Sequence, residues 1–301
     1  RARHFEALKN ARAYYAENYG VETELTGPQD LQDAGMNAGY HGALTIPIGF
    51  GLNPRKYITG LASAAEAAGA NIYHESPVTS VRRTASGFSV ATPNGTVTAD
   101  KVIVATNGYS SEDLPPWLAG RYMPTQSSII VTRPLTQEEL SAQNWTSRQT
   151  CYDTRSLLHY FRLMPDNRML FGVRGGLMAT AGSEARAMKR ARADFDRMFP
   201  AWRHVETPHA WSGMVCIARS MMPFVGEVPD QPGMFAGLCY HGNGVAMASF
   251  SGALLADLVQ GKQTQHIYPE AVQRPLAKFE LGRYRRAVMP LAYAGFALTD
   301  L

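Results

Sequence analysis

Residues 234–261 carry the pattern with the clearest chemical meaning. Residues 234–240 read as a buried strand, His241-Gly242-Asn243-Gly244 as a glycine loop, and residues 245–260 as a helix closed by Gly261. An abrupt turn from strand into helix leaves unpaired amides beyond the strand end, and such a helix start attracts negative charge. Gly242 and Gly244 permit close backbone approach, and Asn243 can add a donor. The glycines alone leave open a tight turn that holds no ligand. A dinucleotide fingerprint fits less well, because that motif needs a following strand ending in an acidic residue about 20 positions on, and here Gln263-Thr264-Gln265-His266 follow instead.

The elements around this loop read from periodicity and turn residues. Phe5, Leu8, Ala11, Tyr15 and Tyr19 recur at helical spacing over residues 4–19, and Gly20 ends the run. Asn53-Pro54 opens a second helix: Asn can cap the free amides, and Pro has no amide to leave unpaired. Tyr57, Ile58, Leu61, Ala65 and Ala68 form its expected buried stripe, and Gly69 stops it. Residues 70–73 and 78–81 read as short strands, and residues 88–92 and 96–99 as a hairpin turned by Asn94-Gly95. Val102-Ile103-Val104-Ala105 reads as a strand covered on both faces, as in a parallel sheet, and breaks at Thr106-Asn107-Gly108. Residues 116–214 change character, with strands near 127–132, 157–163, 169–173 and 207–211 and a helix over 184–199. That is an antiparallel sheet with a helix on it, inserted into an α/β part.

Apolar residues make up 45% and charged residues 18% of the 301, an ordinary globular composition with room for two domains. Lys and Arg outnumber Asp and Glu by 29 to 25 without forming a basic stripe, so nucleic acid is not an expected partner. The densest basic run, Arg283-Tyr284-Arg285-Arg286, reads as a solvated helix face. Cys151, Cys216 and Cys239 are too few for a disulfide framework, and no pair has the close spacing of a zinc or redox site; a reducing, cytoplasmic compartment and no metal are expected. No window holds the ~18 consecutive apolar residues of a membrane span. The first residues, Arg1-Ala2-Arg3-His4-Phe5-Glu6, read as the middle of a helix and not as a signal peptide.

Four blocks in order then give the chain a family likeness. They are Gly51-Leu52-Asn53-Pro54 with its helix; Ser76-Pro77-Val78 leading to Val104-Ala105-Thr106-Asn107-Gly108-Tyr109; the strand ending Arg133-Pro134-Leu135; and Trp211-Ser212-Gly213 through Pro223, Gly226 and the Gly242-Asn243-Gly244 helix. No single block is specific, but their order and spacing are. On them the chain resembles the D-amino-acid-oxidase-like FAD-dependent oxidoreductases, most closely the gamma-glutamylputrescine oxidase branch. The resemblance implies an α/β fold with an α+β insert: an incomplete FAD-binding domain of glutathione-reductase-like type carrying an inserted antiparallel-sheet substrate domain. By it, residues 41–115 and 215–265 form the FAD-binding domain without its first βαβ unit, residues 1–40 and 116–214 the substrate-binding domain, and residues 266–301 a tail packing back on both.

The resemblance also implies site residues. Val78 offers its backbone to the adenine; Ala105, Thr106, Asn107 and Gly108 pass close to the ribityl-pyrophosphate; Gly242, Asn243, Gly244 and Val245 face the flavin pyrimidine, where a helix start stabilises the charge of reduced flavin. Residue type alone gives Val78 and Ala105 only sheet packing. Three departures from the family pattern matter. Asn243 stands where His is common between the loop glycines, with His241 one step before the first glycine. Val215 stands where glycine oxidases place an Arg for the substrate carboxylate, which favours an amine substrate. Gly213 stands where sarcosine-oxidase relatives tether flavin through Cys, so a non-covalent flavin is expected. The family's Gly-x-Gly-x-x-Gly loop and its ribose-binding acid are not found in residues 1–301, and the expectation is a truncated form from which FAD is easily lost.

The implied reaction is oxidation of a primary or secondary amine, with hydride passing from the carbon beside nitrogen to flavin. Imine hydrolysis and reoxidation by oxygen then give an aldehyde and hydrogen peroxide. His159, Tyr160 and His41 are the catalytic candidates, with Tyr152 and Arg174 beside them; the sheet residues read more readily as aromatic or basic residues on a sheet face, and His41 equally as a residue hydrogen-bonded within a loop. Two alternatives stand: a cofactor-free binding module, and a dehydrogenase passing electrons to another acceptor.

Overall fold

A computed structural model describes residues 2–176 and 181–300, so Arg1 lies outside the described residues. The elements in order are α1 (Ala2–Tyr19), β1 (Glu24–Thr26), β2 (Ala43–Thr45), α2 (Pro54–Ala67), β3 (Ser80–Thr84), β4 (Gly87–Thr92), β5 (Gly95–Ala99) and β6 (Val102–Val104). Then follow β7 (Tyr122–Val131), α3 (Gln137–Gln143), β8 (Cys151–Tyr152), β9 (His159–Leu163), β10 (Met169–Arg174) and α4 (Ala181–Met198). The last are β11 (His209–Ala218), β12 (Phe224–Glu227), β13 (Met234–Leu238), α5 (Gly244–Val259), α6 (Glu270–Gln273) and α7 (Met289–Asp300). The chain divides into two compact units. One comprises Arg1–Leu52, Ser127–Gly213 and Tyr293–Leu301, the other Asn53–Gln126 and Met214–Ala292.

The first unit is built on a sheet of order β11-β7-β10-β9-β8, in which β10 runs antiparallel to both β7 and β9. Alternation sorts β9 and β10 onto two faces. His159, Phe161 and Leu163 are buried on one face with Phe171 and Val173, whereas Tyr160, Arg162 and Arg174 are half-buried on the other. The buried face packs on Ala191, Phe195 and Met198 of α4 and on Phe199 and Trp202 just beyond it. Phe171, Phe195, Phe199 and Trp202 meet edge-on, tilted or stacked at 5.1–6.3 Å between ring centres. Truncating any one of these rings to Ala is expected to cost about 3–5 kcal/mol.

In the second unit, β13 lies between β12, antiparallel to it, and β6, parallel to it. Leu254 and Leu255 of α5 pack against Val225 of β12 and Phe235 of β13. The Asn94-Gly95 turn joins β4 to β5, with Thr92 facing Gly95 in register. Asn53 caps α2 by accepting the Lys56 amide at 3.0 Å.

Several sequence expectations need correction. Residues 70–73 form no strand; the extended pairing starts at Ser80. The apolar stripe of α2 is not buried: Ile58 is 58% and Leu61 48% exposed. Nor is β6 covered on both faces, since it sits at a sheet edge with Ile103 45% exposed. Periodicity reports which residues want a common face, not whether anything covers it. Arg285 is no surface charge: it is 1% exposed, donates to the carbonyls of Tyr122 and Gly282, and pairs with Glu112.

Candidate functional site

Two loops of the second unit come together at the ends of β6 and β13. After β6, Asn107-Gly108-Tyr109 make one helical turn, with Asn107 at φ +43° and Gly108 buried. A side chain at Gly108 would run into the Met214 carbonyl, and the Met214 amide donates to the Tyr109 hydroxyl, so this turn is seated on β11. The Asn107 Oδ1 accepts the Cys239 amide at 3.0 Å, which fixes the turn to the end of β13. From there Cys239 (φ +68°), His241 (φ +57°) and Gly242 (φ +106°) bend the chain sharply into α5. Left-handed backbone at two non-glycine positions is strained, and such strain concentrates at working sites.

The start of α5 is open. Asn243 precedes the helix without capping it by its side chain, and Val245 in the first turn is half-exposed. The amides of that turn have no partner earlier in the helix and face outward as donors. Lower down, the Ser249 hydroxyl and Tyr57 hydroxyl lie 2.6 Å apart and tie α5 to α2. The Asn107–Cys239 bond fixes the turn after Ala105 and Thr106 to the end of β13, three residues before Gly242. Val78 is half-exposed on the extended segment leading to β3, and Gly213 lies within β11 and ends the Ser127–Gly213 segment of the first unit.

The catalytic candidates all lie in the first unit, and the sheet sorts them. His159 is on the core side, 1% exposed, with its ring stacked on Phe171. Its Nδ1 is 2.7 Å from Asp153 and its Nε2 3.2 Å from Asp194, so neither ring nitrogen is left for a substrate. Burial pulls the imidazole pKa down, but the hydrogen bonds and charges of the two carboxylates outweigh it, and the net shift is upward. Asp194 is pushed up by burial and pulled further down by His159, Arg197 and Arg190, for a net lowering.

Tyr160 is on the opposite face. Its ring covers Gly172, where a Cβ would come within 2.1 Å of it, and its hydroxyl reaches Ser127 at 2.7 Å. Burial raises its pKa, with the Ser127 hydrogen bond and the Arg174 charge working against the rise, so the phenol stays protonated. Tyr152, paired opposite Tyr160, is exposed, and Arg162 on the same face donates to the Leu52 carbonyl at 3.0 Å. His41 is exposed in the bend before β2.

Sequence reasoning missed Ser127, Asp153 and Asp194, because each gains its role only from a partner on another strand or helix. It also missed that Cys216 and Cys239, 23 residues apart, bring their sulfur atoms to 3.4 Å.

Comparison with known proteins identifies the family. The chain is 33% identical over 250 residues to the probable oxidoreductase OrdL of Rhizobium meliloti (strain 1021), covering 83% of this chain and 56% of that protein. It is 31% identical over 247 residues to gamma-glutamylputrescine oxidoreductase of Escherichia coli (strain K12), covering 81% and 56% respectively. The chain therefore spans little more than half the length of these relatives. The crystal structure of glycine oxidase from Geobacillus kaustophilus superposes with a TM-score of 0.73 at 22% identity, covering 90% of this chain and 72% of that one, and so shares the fold. With residues 1–258 matching the family described as FAD dependent oxidoreductase, the chain belongs to the DAO family of FAD-dependent oxidoreductases.

Proposed function

We propose that the intact protein uses FAD to oxidise a primary or secondary amine to an imine, with oxygen as electron acceptor and with aldehyde and hydrogen peroxide as products after hydrolysis. The observation that carries this reading is the open, uncapped start of α5 beside the Asn107 turn. Its outward donors suit an electron-rich ring edge, so the residues present fit the cofactor of the family at that end. Relatives bearing the names gamma-glutamylputrescine oxidoreductase and glycine oxidase add support for a substrate with an amine nitrogen.

Bound FAD would supply the electron sink for breaking the carbon–hydrogen bond next to nitrogen. The chain's own residues bind and orient. The amides of Gly244 and Val245 would stabilise negative charge at the pyrimidine edge of bound FAD, Ala105, Thr106, Asn107 and Gly108 would hold the ribityl-pyrophosphate region, and Val78 would hold the adenine through its backbone. Gly213 offers no side chain for a covalent tether, and the cofactor is held non-covalently. Tyr160, protonated and fixed on Ser127, orients a substrate group together with Arg174 and takes no proton from it. His41 is exposed to solvent in the bend before β2 and is the third catalytic candidate. His159 acts from inside the sheet, holding the strand that carries Tyr160.

The test is to supply FAD and a series of primary and secondary amines in air, and to measure peroxide and aldehyde. Stoichiometric formation of both is expected. Bleaching of the flavin by an amine without peroxide in air would point to a dehydrogenase. Solutions of the intact protein that stay colourless after added FAD would point to a binding module.

A further inference from the structure

Cys216 and Cys239 have no part in the proposed amine oxidation, yet they form a built site. They are 1% and 0% exposed, within one hydrophobic cluster, with sulfur atoms 3.4 Å apart. Each is bonded through its backbone to a segment of the candidate cofactor site. The Cys239 amide donates to the Asn107 Oδ1, and the Cys216 carbonyl accepts the His241 amide at 3.1 Å. Cys239 itself has left-handed backbone, as does His241 two residues on.

We propose that this pair is a peroxide-sensitive dithiol that closes to a disulfide at the root of the loop leading into α5. The step balances. The Cys216 sulfur attacks one oxygen of hydrogen peroxide, the O–O bond breaks, and a sulfenic acid forms as the first water leaves. The Cys239 sulfur then attacks the Cys216 sulfur, the S–S bond forms, the S–O bond breaks, and the second water leaves. The thiols lose two electrons and peroxide gains two. Either sulfur can donate to the other, so the two steps balance equally with the cysteines exchanged; the contact, with burial, pushes the Cys239 pKa up. The strained 239–242 bend is where the backbone opens locally to admit an oxidant little larger than water.

Closing the bond draws the sulfurs from 3.4 Å to about 2.0 Å. Because Cys239 is fixed to Asn107 and Cys216 to His241, that movement is transmitted to both loops proposed to face flavin. The natural source of peroxide rests on the proposed oxidase activity, but the thiol chemistry does not depend on it, so the two can fail separately.

The experiment adds graded hydrogen peroxide to the purified protein without any amine, then alkylates remaining thiols under denaturing conditions for intact-mass and peptide analysis. The expected result is a loss of roughly 2 Da, one alkylated cysteine in place of three, and a linked Cys216–Cys239 peptide that dithiothreitol releases. Cys151, half-buried and raised to about 11 by burial, is the internal control and stays alkylatable. In Cys239→Ser the resolving thiol is gone, and Cys216 is expected to gain oxygen instead. Three alkylated cysteines at a peroxide dose that oxidises a small-molecule thiol would overturn the proposal. So would oxygen addition without a Cys216–Cys239 link in the wild-type protein, and both results are read without relying on any variant.

Discussion

His159 shows how a residue type can suggest one role and its surroundings another. A histidine on a strand of the insert reads as a catalytic base, but strand alternation puts it on the side facing α4, where Asp153 and Asp194 take both nitrogens. Neither aspartate could be paired with it from the sequence, since Asp194 sits 35 residues away on a helix. The buried cluster has a pH signature. The raised imidazole contributes stability that is fully present below its unfolded pKa of about 6.5 and is lost as pH rises through its higher folded value. Asp194, held low, contributes stability that is present above about pH 4 and is lost as pH falls through its lower folded value. The two overlap between about pH 4 and 6.5. Urea midpoints measured across pH should show the alkaline decline flattened in His159→Gln. Asp194→Ala, which strips one carboxylate from a buried cation, should lose about 3 kcal/mol near pH 6. A wild-type alkaline limb unchanged in His159→Gln would refute this account of the cluster.

At the scale of elements, legibility followed local geometry. The α2 cap, the Asn94-Gly95 hairpin and the strand–loop–helix of residues 234–261 were readable because each is decided by neighbours in sequence: a side-chain acceptor three residues before an amide, or glycine where the backbone must turn. The exposure of α2 was not, because a helix stripe is buried or bare according to what lies opposite. The Tyr160 platform also depends on register across three strands. Gly172 faces Tyr160 from β10 and Ile129 on β7, which clears the way for the phenol to reach Ser127. Gly172→Ala is therefore expected to displace the ring and destabilise the protein by about 2 kcal/mol, and Tyr160→Ala in the same chain to remove most of that penalty. Thermal unfolding of the two single variants and the double variant measures the coupling; strict additivity would mean that the ring does not occupy the space above Gly172.

Across the whole molecule, the family match extends over residues 1–258 while the chain spans 56% of the length of its two bacterial relatives. The exposed stripe of α2 and the exposed Ile103 on edge strand β6 are surface that a protein in water tends to cover. The protein should therefore bind an apolar dye such as ANS, with a rise in its fluorescence. No rise in ANS fluorescence would show that these surfaces are covered.

The most direct test is a crystal structure of the protein with FAD bound. The account predicts an amide of residues 243–246 within about 3 Å of the flavin C2 carbonyl, at the first turn of α5. An isoalloxazine ring bound away from Gly242 and Gly244 would contradict it.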